Sequence, residues 1–185
     1  MIPQVSVVIP VYNAIDHIEE CLASVINQRT PFSLEVIVVD DGSTDGTLEK
    51  LRSTSGLTCL AQSNRGPAAA RNSGIRHARG EYIAFLDADD LWPESKLQKQ
   101  VELMQRHSDA AMCFGDCRQF KGKHWWPHTL FEEGDYGEGS WGPWPYVRNA
   151  YARLLRNNFI TTGSVVVRRQ VLEELGGFDE SLGLV

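Results

Sequence analysis

A cluster of carboxylates near the middle of the chain has the residue types of a metal site. The segment from Glu81 to Asp90 reads EYIAFLDADD, so Asp87, Asp89 and Asp90 closely follow an apolar run. Like charges this close repel one another, and burial of an unpaired charge is costly. A divalent cation relieves both effects, because Mg²⁺ and Mn²⁺ bind carboxylate oxygens and Mg²⁺ commonly shares its coordination shell with substrate phosphates. The segment therefore predicts a metal site at the end of a buried strand.

Two further apolar runs end in polar residues in the same way. One run ends at Asp40 and Asp41, and the N-terminal run is followed by Tyr12 and Asn13. In an open α/β sheet, ligands bind at the carboxyl ends of the strands. The second acidic strand end favours a ligand site over a solvated acidic turn as the interpretation of the Asp-Ala-Asp motif.

The three strand ends together have the composition of a pocket for a nucleotide diphosphate. A flat base can stack on the ring of Tyr12, and the carboxylate of Asp41 can accept a hydrogen bond from a pyrimidine N–H. A cation near Asp89 can neutralise the diphosphate.

Apolar periodicity predicts alternating strands and helices up to about residue 107. The predicted strands are residues 5–10, 34–40, 57–62 and 81–86, and helical spacing follows each of them. The candidate helix caps are Asn13 or Asp16 for the first helix, Thr44 or Asp45 for the second and Asp90 for the fourth. Pro67 suits the first position of the third helix. This alternation predicts βαβ units, a parallel sheet and right-handed crossovers.

The second part of the chain is less regular. Residues 124–146 are rich in tryptophan, glycine and proline, which favours either an acceptor-binding loop or a hydrophobic lid or protein contact. A helix over 146–157, a strand over 163–167 and a helix over 169–175 are predicted, with Gly176 and Gly177 ending the last helix.

Composition excludes several classes of protein. The 185 residues are 42% hydrophobic and carry a net charge of −6, as in a single soluble domain without the basic surface of a nucleic-acid-binding protein. The sequence shows neither a signal peptide nor an apolar stretch of about 20 residues. Cysteines at positions 21, 59, 113 and 117 lie in apolar periodic segments and are expected to be buried thiols of a reducing cytoplasm. A metal site at Cys113 and Cys117 is disfavoured, because no second pair completes it.

Four ordered segments of the first 95 residues resemble the family 2 glycosyltransferases of the GT-A fold. They are Val5–Asn13, Val39–Asp45, Asn64–Gly74 and Tyr82–Asp90. Gly163–Arg169 and Gly176–Glu180 resemble downstream segments of the same family. The resemblance implies a Rossmann-like α/β fold with a mostly parallel sheet. It also implies one GT-A domain over 1–185, with a donor half at 1–95 and a partial acceptor half at 96–185.

The resemblance implies an inverting enzyme that moves a sugar from a nucleotide-diphosphate sugar, expected to be a UDP-sugar, to an acceptor hydroxyl. The acceptor would be a carbohydrate or lipid-linked molecule of cell-envelope polysaccharide synthesis, and the enzyme would act in the cytoplasm or peripherally at the inner face of the membrane. Mn²⁺ or Mg²⁺ would act as Lewis acid on the departing diphosphate. The substrate-binding residues implied are Pro10, Val11, Tyr12, Asp41, Arg71, Asp87 and Ala88, and the metal ligands implied are Asp89 and Asp87.

The catalytic base of the family lies in a Glu-Asp pair shortly after the segment matched by Gly176–Glu180. The sequence ends at Val185 before such a pair, so we expect an N-terminal portion of a longer enzyme, with an uncovered apolar edge that favours self-association. A nucleotide-sugar-binding module without turnover is therefore an alternative. A haloacid-dehalogenase-like phosphatase is disfavoured, because its acidic motif belongs on the first strand and Leu91 stands where Thr or Val is expected. A nucleotidyltransferase is disfavoured by the lack of a glycine-rich loop with a lysine near the N-terminus.

Overall fold

The apolar runs form the central strands of an α/β domain. The computed structural model describes residues 3–134, 136, 147, 150–156 and 158–182. The strands are β1 (Val5–Val11), β2 (Leu34–Asp40), β3 (Thr58–Ala61), β4 (Tyr82–Phe85), β5 (Met112–Cys113), β6 (Arg118–Lys121), β7 (His124–Thr129) and β8 (Val166–Arg168). The helices are α1 (Ile18–Ile26), α2 (Thr47–Ser53), α3 (Pro67–His77), α4 (Lys96–Arg106), α5 (Leu130–Glu133), α6 (Ala150–Leu154) and α7 (Arg169–Leu175).

The main sheet is mostly parallel, as predicted. Its six described strands have the order β3-β2-β1-β4-β8-β5, and β1 pairs in parallel with both β2 and β4. The predicted strand at 163–167 begins later, as β8, after a 3-10 turn over Thr162–Ser164. β8 runs antiparallel to β4 and to β5, so it is the exception to the parallel sheet.

The core has two sides, because helices cover both faces of the sheet. On one face, Val7 and Ile9 of β1 pack with apolar residues of α1, α2 and α4. On the other face, Val8 packs with residues of β2, α3 and α7. All seven residues of β1 are buried, which explains why the strand is apolar at nearly every position rather than at alternate positions.

The helix starts differ from the predicted caps. His17 precedes α1 without a side-chain capping bond, so the expectation that Asn13 or Asp16 caps this helix is wrong. Gly46 precedes α2 without a side-chain capping bond, so the expectation that Thr44 or Asp45 caps this helix is wrong. The Asp45 carboxylate instead accepts hydrogen bonds from the backbone N–H and the hydroxyl of Thr47, at 3.0 and 2.6 Å, at the start of α2. Pro67 takes the first position of α3, as predicted.

The aromatic segment is partly a separate two-stranded sheet. β6 and β7 pair with each other and with no strand of the main sheet. Residues 137–146, which contain the second half of the predicted aromatic segment, lie outside the described residues. The predicted helix over 146–157 corresponds to the shorter α6. None of the described helices is both long and apolar enough to cross a membrane.

The C-terminal segment folds back onto α3. Gly176 ends α7 in the left-handed conformation at φ 79°, and Phe178 then packs on Phe85 with ring centroids 5.2 Å apart. The side-chain amide of Asn72 binds both the backbone N–H and the carbonyl of Phe178, each at 2.8 Å. Two segments that are more than 100 residues apart are therefore joined beside the sheet edge.

Close packing of α3 on β1 depends on Gly74. A Cβ added at Gly74 would lie 2.3 Å from Cγ1 of Val8, which is fully buried. We expect Gly74→Ala to lower the free energy of unfolding by about 1–3 kcal/mol, because it overpacks a filled core.

The combined variant Val8→Ala/Gly74→Ala provides the control, because the smaller side chain makes room for the new methyl group. Urea unfolding of the four proteins of this cycle should show that the two changes cost less together than the sum of the single changes. Simple additivity would contradict the proposed packing.

Candidate functional site

A cleft of about 500 Å³ lies at the carboxyl ends of β1, β2 and β4. The residues that line it are Pro10, Val11, Tyr12, Asn13, Ala14, His17, Asp41, Asn64, Gly66, Pro67, Ala70, Arg71, Asp87, Ala88 and Asp89. Every substrate-binding and metal-binding residue predicted from the sequence is in this set. The structure thus brings these residues together, and their individual roles stay predictions.

Tyr12 lies on the open side of the cleft. Its side chain follows directly after β1 and is 53% exposed, so its ring is accessible for stacking. The next residue, Asn13, has a φ of 49°, a left-handed conformation that asparagine tolerates better than most residues. The Asn13 side chain accepts a hydrogen bond from the backbone N–H of Thr44 at 2.8 Å, and the backbone N–H of Asn13 donates to Ser43 Oγ at 2.9 Å. These bonds tie the loop after β1 to the loop after β2.

The Asp41 carboxylate holds the loop that forms the opposite wall of the cleft. It is 3% exposed and accepts three hydrogen bonds from the loop before α3. Oδ1 accepts from Gln62 Nε2 at 2.8 Å and from the backbone N–H of Arg65 at 2.9 Å, while Oδ2 accepts from the N–H of Gly66 at 2.8 Å. A carboxylate has about four acceptor positions. Asp41 therefore keeps about one position, on Oδ2, for a ligand.

Arg71 and Asp87 form an ion pair across the cleft floor. Arg71 Nη2 lies 2.5 Å from Asp87 Oδ1, and the Arg71 side chain is only 13% exposed. Its guanidinium also lies over the ring of Phe178, 5.6 Å from the centroid. The ion pair fixes the first carboxylate of the Asp-Ala-Asp motif and links α3 to β4. Nε of Arg71 is buried and has no hydrogen-bond partner among the described residues.

Asp90 lies beside the cleft and does not cap α4. Its backbone N–H donates to the carbonyl of Asp87 at 3.0 Å, which closes a turn. α4 starts after Ser95 without a side-chain capping bond, so the predicted capping role of Asp90 is wrong. A Cβ added at Gly163 would lie 2.9 Å from Asp90 Oδ2. Desolvation, and then the charges of Asp87 and Asp89, raise the pKa of Asp90 to about 6.

The fit of a metal can be judged from these carboxylates. No group of three or more His, Cys, Asp or Glu side chains that could hold a metal occurs in the described part of the chain. Mg²⁺, however, is usually held by one or two carboxylates together with substrate phosphates and water. Asp87 and Asp89 both line the cleft and supply such a partial set, and only one oxygen of Asp87 is bonded to Arg71. The acidic strand end therefore fits a metal that arrives with a phosphorylated ligand.

The site includes connections that sequence reasoning missed. Arg65 Nη2 lies 2.6 Å from Glu180 Oε2, and Asn72 Nδ2 lies 2.9 Å from Glu180 Oε1. The hydrogen bond from Asn72, and then the charge of Arg65, lower the pKa of Glu180. Resemblance identified both the Asn64–Gly74 and the Gly176–Glu180 segments, but nothing in the sequence alone indicated that they touch.

A lysine whose ammonium group is buried was also not anticipated. Lys96 Nζ lies 3.9 Å from the ring centroid of Trp92 and makes no hydrogen bond to the described residues. Burial lowers the pKa of Lys96 to about 7.

Two of the four cysteines, Cys59 and Cys117, are only partly buried, so the expectation of four buried thiols is wrong for these two.

Replacement of Asp41 tests its structural role. Asp41→Asn removes one acceptor oxygen and points an amide donor at backbone N–H groups, so we expect a loss of about 1.5–3 kcal/mol in the free energy of unfolding. Urea unfolding at pH 7 measures it. The control Asp89→Asn changes an exposed carboxylate and should alter stability by less than about 0.5 kcal/mol. Equal effects of the two changes would contradict the role of Asp41.

Asp90 predicts a pH-dependent effect on stability. Because its folded-state pKa of about 6 exceeds the ordinary value of 3.8, the folded chain binds this proton more tightly than the unfolded chain. Ionised Asp90 therefore disfavours folding, increasingly as pH rises from about 4 to about 6. After discounting for solvent screening of the exposed carboxylate, Asp90→Asn should stabilise the chain by about 1 kcal/mol at pH 7.5. The gain should shrink toward pH 4.5.

Thermal unfolding across this pH range, with the exposed Asp16→Asn as control, measures the effect. A gain for Asp90→Asn that does not change with pH would refute it.

Comparisons with known proteins point to the same class of protein that the residues of the cleft indicated. The model of the family described as "Glycosyl transferase family 2" matches residues 6–176. The putative teichuronic acid biosynthesis glycosyltransferase TuaG of Bacillus subtilis is 44% identical over 113 residues, which cover 58% of this chain and 44% of that protein. Protein Rv1520 of Mycobacterium tuberculosis is 35% identical over 167 residues, which cover 86% of this chain and 45% of that protein.

Solved structures show the same fold. TarS residues 1–349 from S. aureus superpose with a TM-score of 0.75 at 27% identity, covering 98% of this chain and 52% of that 1–349 chain. The mannosyltransferase PcManGT from Pyrobaculum calidifontis, in complex with GDP-Man and Mn²⁺, has a TM-score of 0.65 at 28% identity, covering 98% and 49%. The chain thus spans about half the length of these relatives. The family match covers the whole acidic cleft and removes the phosphatase alternative, and the chain belongs to glycosyltransferase family 2.

Proposed function

We propose that this chain binds a UDP-sugar in the cleft and transfers the sugar, with inversion, to an acceptor hydroxyl with the help of a divalent metal. The observation that carries the proposal is the meeting of Tyr12, Asp41 and the Asp87–Asp89 carboxylates in one cleft. Each supplies a different part of nucleotide-diphosphate recognition: a stacking ring, a base acceptor and a metal-binding edge. TarS has been solved in complex with UDP, at 26% identity to this chain.

The geometry of Asp41 favours uracil over guanine. Uracil presents a single N–H donor on its pairing edge, whereas guanine presents an N–H and an amino group side by side. Three of the roughly four acceptor positions of Asp41 already bind Gln62, Arg65 and Gly66. The remaining position on Oδ2 suits one donor. PcManGT is complexed with GDP-Man, so the base is not fixed by family membership alone.

Asp87 and Asp89 would hold Mn²⁺ or Mg²⁺ together with the diphosphate. The metal, when bound, would supply Lewis-acid stabilisation of the departing diphosphate. Arg71 would orient Asp87 through their ion pair and would add positive charge beneath the phosphates. Asp90 would remain outside the direct ligands and contribute negative potential.

The acceptor hydroxyl needs a base on the side of the sugar opposite the diphosphate. No described residue is assigned this role. Asp116 accepts hydrogen bonds from two backbone N–H groups, those of Cys117 and Phe131, and Asp179 accepts from Ser181. Asp135, a further carboxylate, lies outside the described residues. The second candidate function is donor binding without turnover, and it is supported by the hydrogen bonds that already engage Asp116 and Asp179.

Metal-dependent nucleotide binding tests the proposal. With UDP at about 100 times its dissociation constant, binding should stabilise the wild-type chain by about 2.7 kcal/mol in the presence of Mn²⁺. Asp89→Ala should lose the Mn²⁺-dependent part of this gain, because it removes a direct ligand. Asp87→Asn should reduce it, because the asparagine is a weaker ligand and pairs poorly with Arg71.

Glu49→Ala, which removes an exposed carboxylate outside the cleft, should behave as wild type in the same thermal-shift series. An unchanged Mn²⁺-dependent shift in Asp89→Ala would refute the metal site. Release of UDP from UDP-GlcNAc in the presence of an acceptor would separate a transferase from a binding module.

A further inference from the structure

The β6–β7 hairpin has an unusual charge for this chain. The net charge of the whole sequence is −6, yet residues 118–131 contain no Asp or Glu. The strands and their turn present three fixed positive charges, on Arg118, Lys121 and Lys123, and all three side chains are exposed. No carboxylate of the described residues forms an ion pair with Lys121 or Lys123. Glu132, which follows the hairpin, interacts with the charges of His128 and Arg118. The hairpin is thus a basic projection on an acidic protein.

Aromatic rings lie among these charges. Phe120 and Trp125 pair across the strands with ring centroids 4.9 Å apart, and Trp125 is 51% exposed. Lys121 pairs with His124 in the next register position, so both lie on the opposite face of the hairpin. Trp126 joins that face, with its ring 5.5 Å from the ring of His124. Each face therefore combines an accessible indole with nearby positive charge.

The hairpin arises at the same edge of the sheet as the cleft. β5 and β4 both run antiparallel to β8, so they are parallel to each other, and the chain leaves β5 at the edge where Asp87 follows β4. Cys117, at the base of the hairpin, lies 2.8 Å from Thr161 through Sγ and Oγ1. Thr161 directly precedes the turn whose Gly163 contacts Asp90. A molecule bound along the hairpin would therefore extend toward the donor cleft.

We propose that the β6–β7 hairpin binds the acceptor, and that this acceptor is an anionic glycan. Its sugar rings would stack on Trp125 or Trp126, and its carboxylate or phosphodiester groups would pair with Lys121, Lys123 and Arg118. The acceptor role rests on the proposed transferase function. The binding of an anionic glycan rests on the charge and the rings of the hairpin alone.

A neutral glycan and an acidic bilayer fit the hairpin less well. A neutral glycan would use the indoles but would leave the ammonium groups of Lys121 and Lys123 unpaired. A bilayer accepts aromatic side chains from one side of a protein, whereas Trp125 and Trp126 are adjacent in β7 and lie on opposite faces. The positive charges and the indoles on both faces of the hairpin match a glycan chain whose sugar rings can stack on either indole and whose negative groups lie between the sugars.

Affinity electrophoresis and calorimetry with defined probes test this inference. Hexagalacturonate supplies carboxylates, a phosphomannan supplies phosphodiesters, and maltohexaose is the neutral control. We expect at least one anionic probe to bind about tenfold or more tightly than maltohexaose, and to weaken as salt rises. The two anionic probes distinguish a uronate from a phosphodiester.

Variants of the hairpin locate the binding. Lys121→Gln/Lys123→Gln should weaken binding of the anionic probe about tenfold, and so should Trp126→Ala. Lys99→Gln removes an exposed lysine of α4 and should leave binding unchanged. The stabilisation by UDP and Mn²⁺ should be the same in all four proteins, which shows that the variants fold and that the donor cleft is intact.

Three outcomes would overturn the inference: equal binding of maltohexaose, anionic binding that the hairpin variants do not weaken, or binding to phosphatidylglycerol vesicles without binding to either anionic glycan. A failure of the proposed transferase function would give a different result from these three outcomes. A wild-type chain that shows no UDP shift but binds the anionic glycan through the hairpin would refute the transferase proposal and keep the glycan-binding surface.

Discussion

The hydrogen bonds of the Asp41 carboxylate determine the geometry of the cleft. Asp41 directly follows β2, and its three donors all come from the loop of residues 62–66 that precedes α3. This loop sets where α3 starts, and α3 in turn carries Arg71 to Asp87 and Asn72 to the C-terminal segment. One buried charge therefore aligns a strand end, a helix and the acidic motif. Such a charge is costly to bury unless it is hydrogen-bonded, and three hydrogen bonds compensate it here.

The parts of the fold that were predictable from the sequence are those with a local physical signal. Four apolar runs became β1 to β4 because both faces of this sheet are covered by helices, so burial acts on every residue of a strand. Pro67 and the Gly176-Gly177 pair marked helix ends because their backbone preferences are intrinsic. The strand-end position of the acidic residues then followed from the parallel order.

The parts that were not predictable depend on contacts between distant residues. The insertion of β8 between β4 and β5 pairs Tyr82 with Arg168, and no periodicity reveals a partner so far along the chain. Asn13 was a reasonable cap by residue type, but its left-handed backbone points its side chain to Thr44 instead. Asp41 was identified as a site residue, yet its bonds to the 62–66 loop could be seen only once that loop was placed.

Arg65 takes part in two sets of contacts at once. Its backbone N–H binds Asp41, and its guanidinium binds Glu180 of the segment that follows α7. If a ligand in the cleft makes this loop more rigid and thereby holds the C-terminal segment more firmly, thermodynamic reciprocity requires the reverse as well. A contact with the chain around Glu180 would then change how tightly the cleft binds its ligand. The cleft and the far end of the described chain would behave as one cooperative unit rather than as two neighbouring parts.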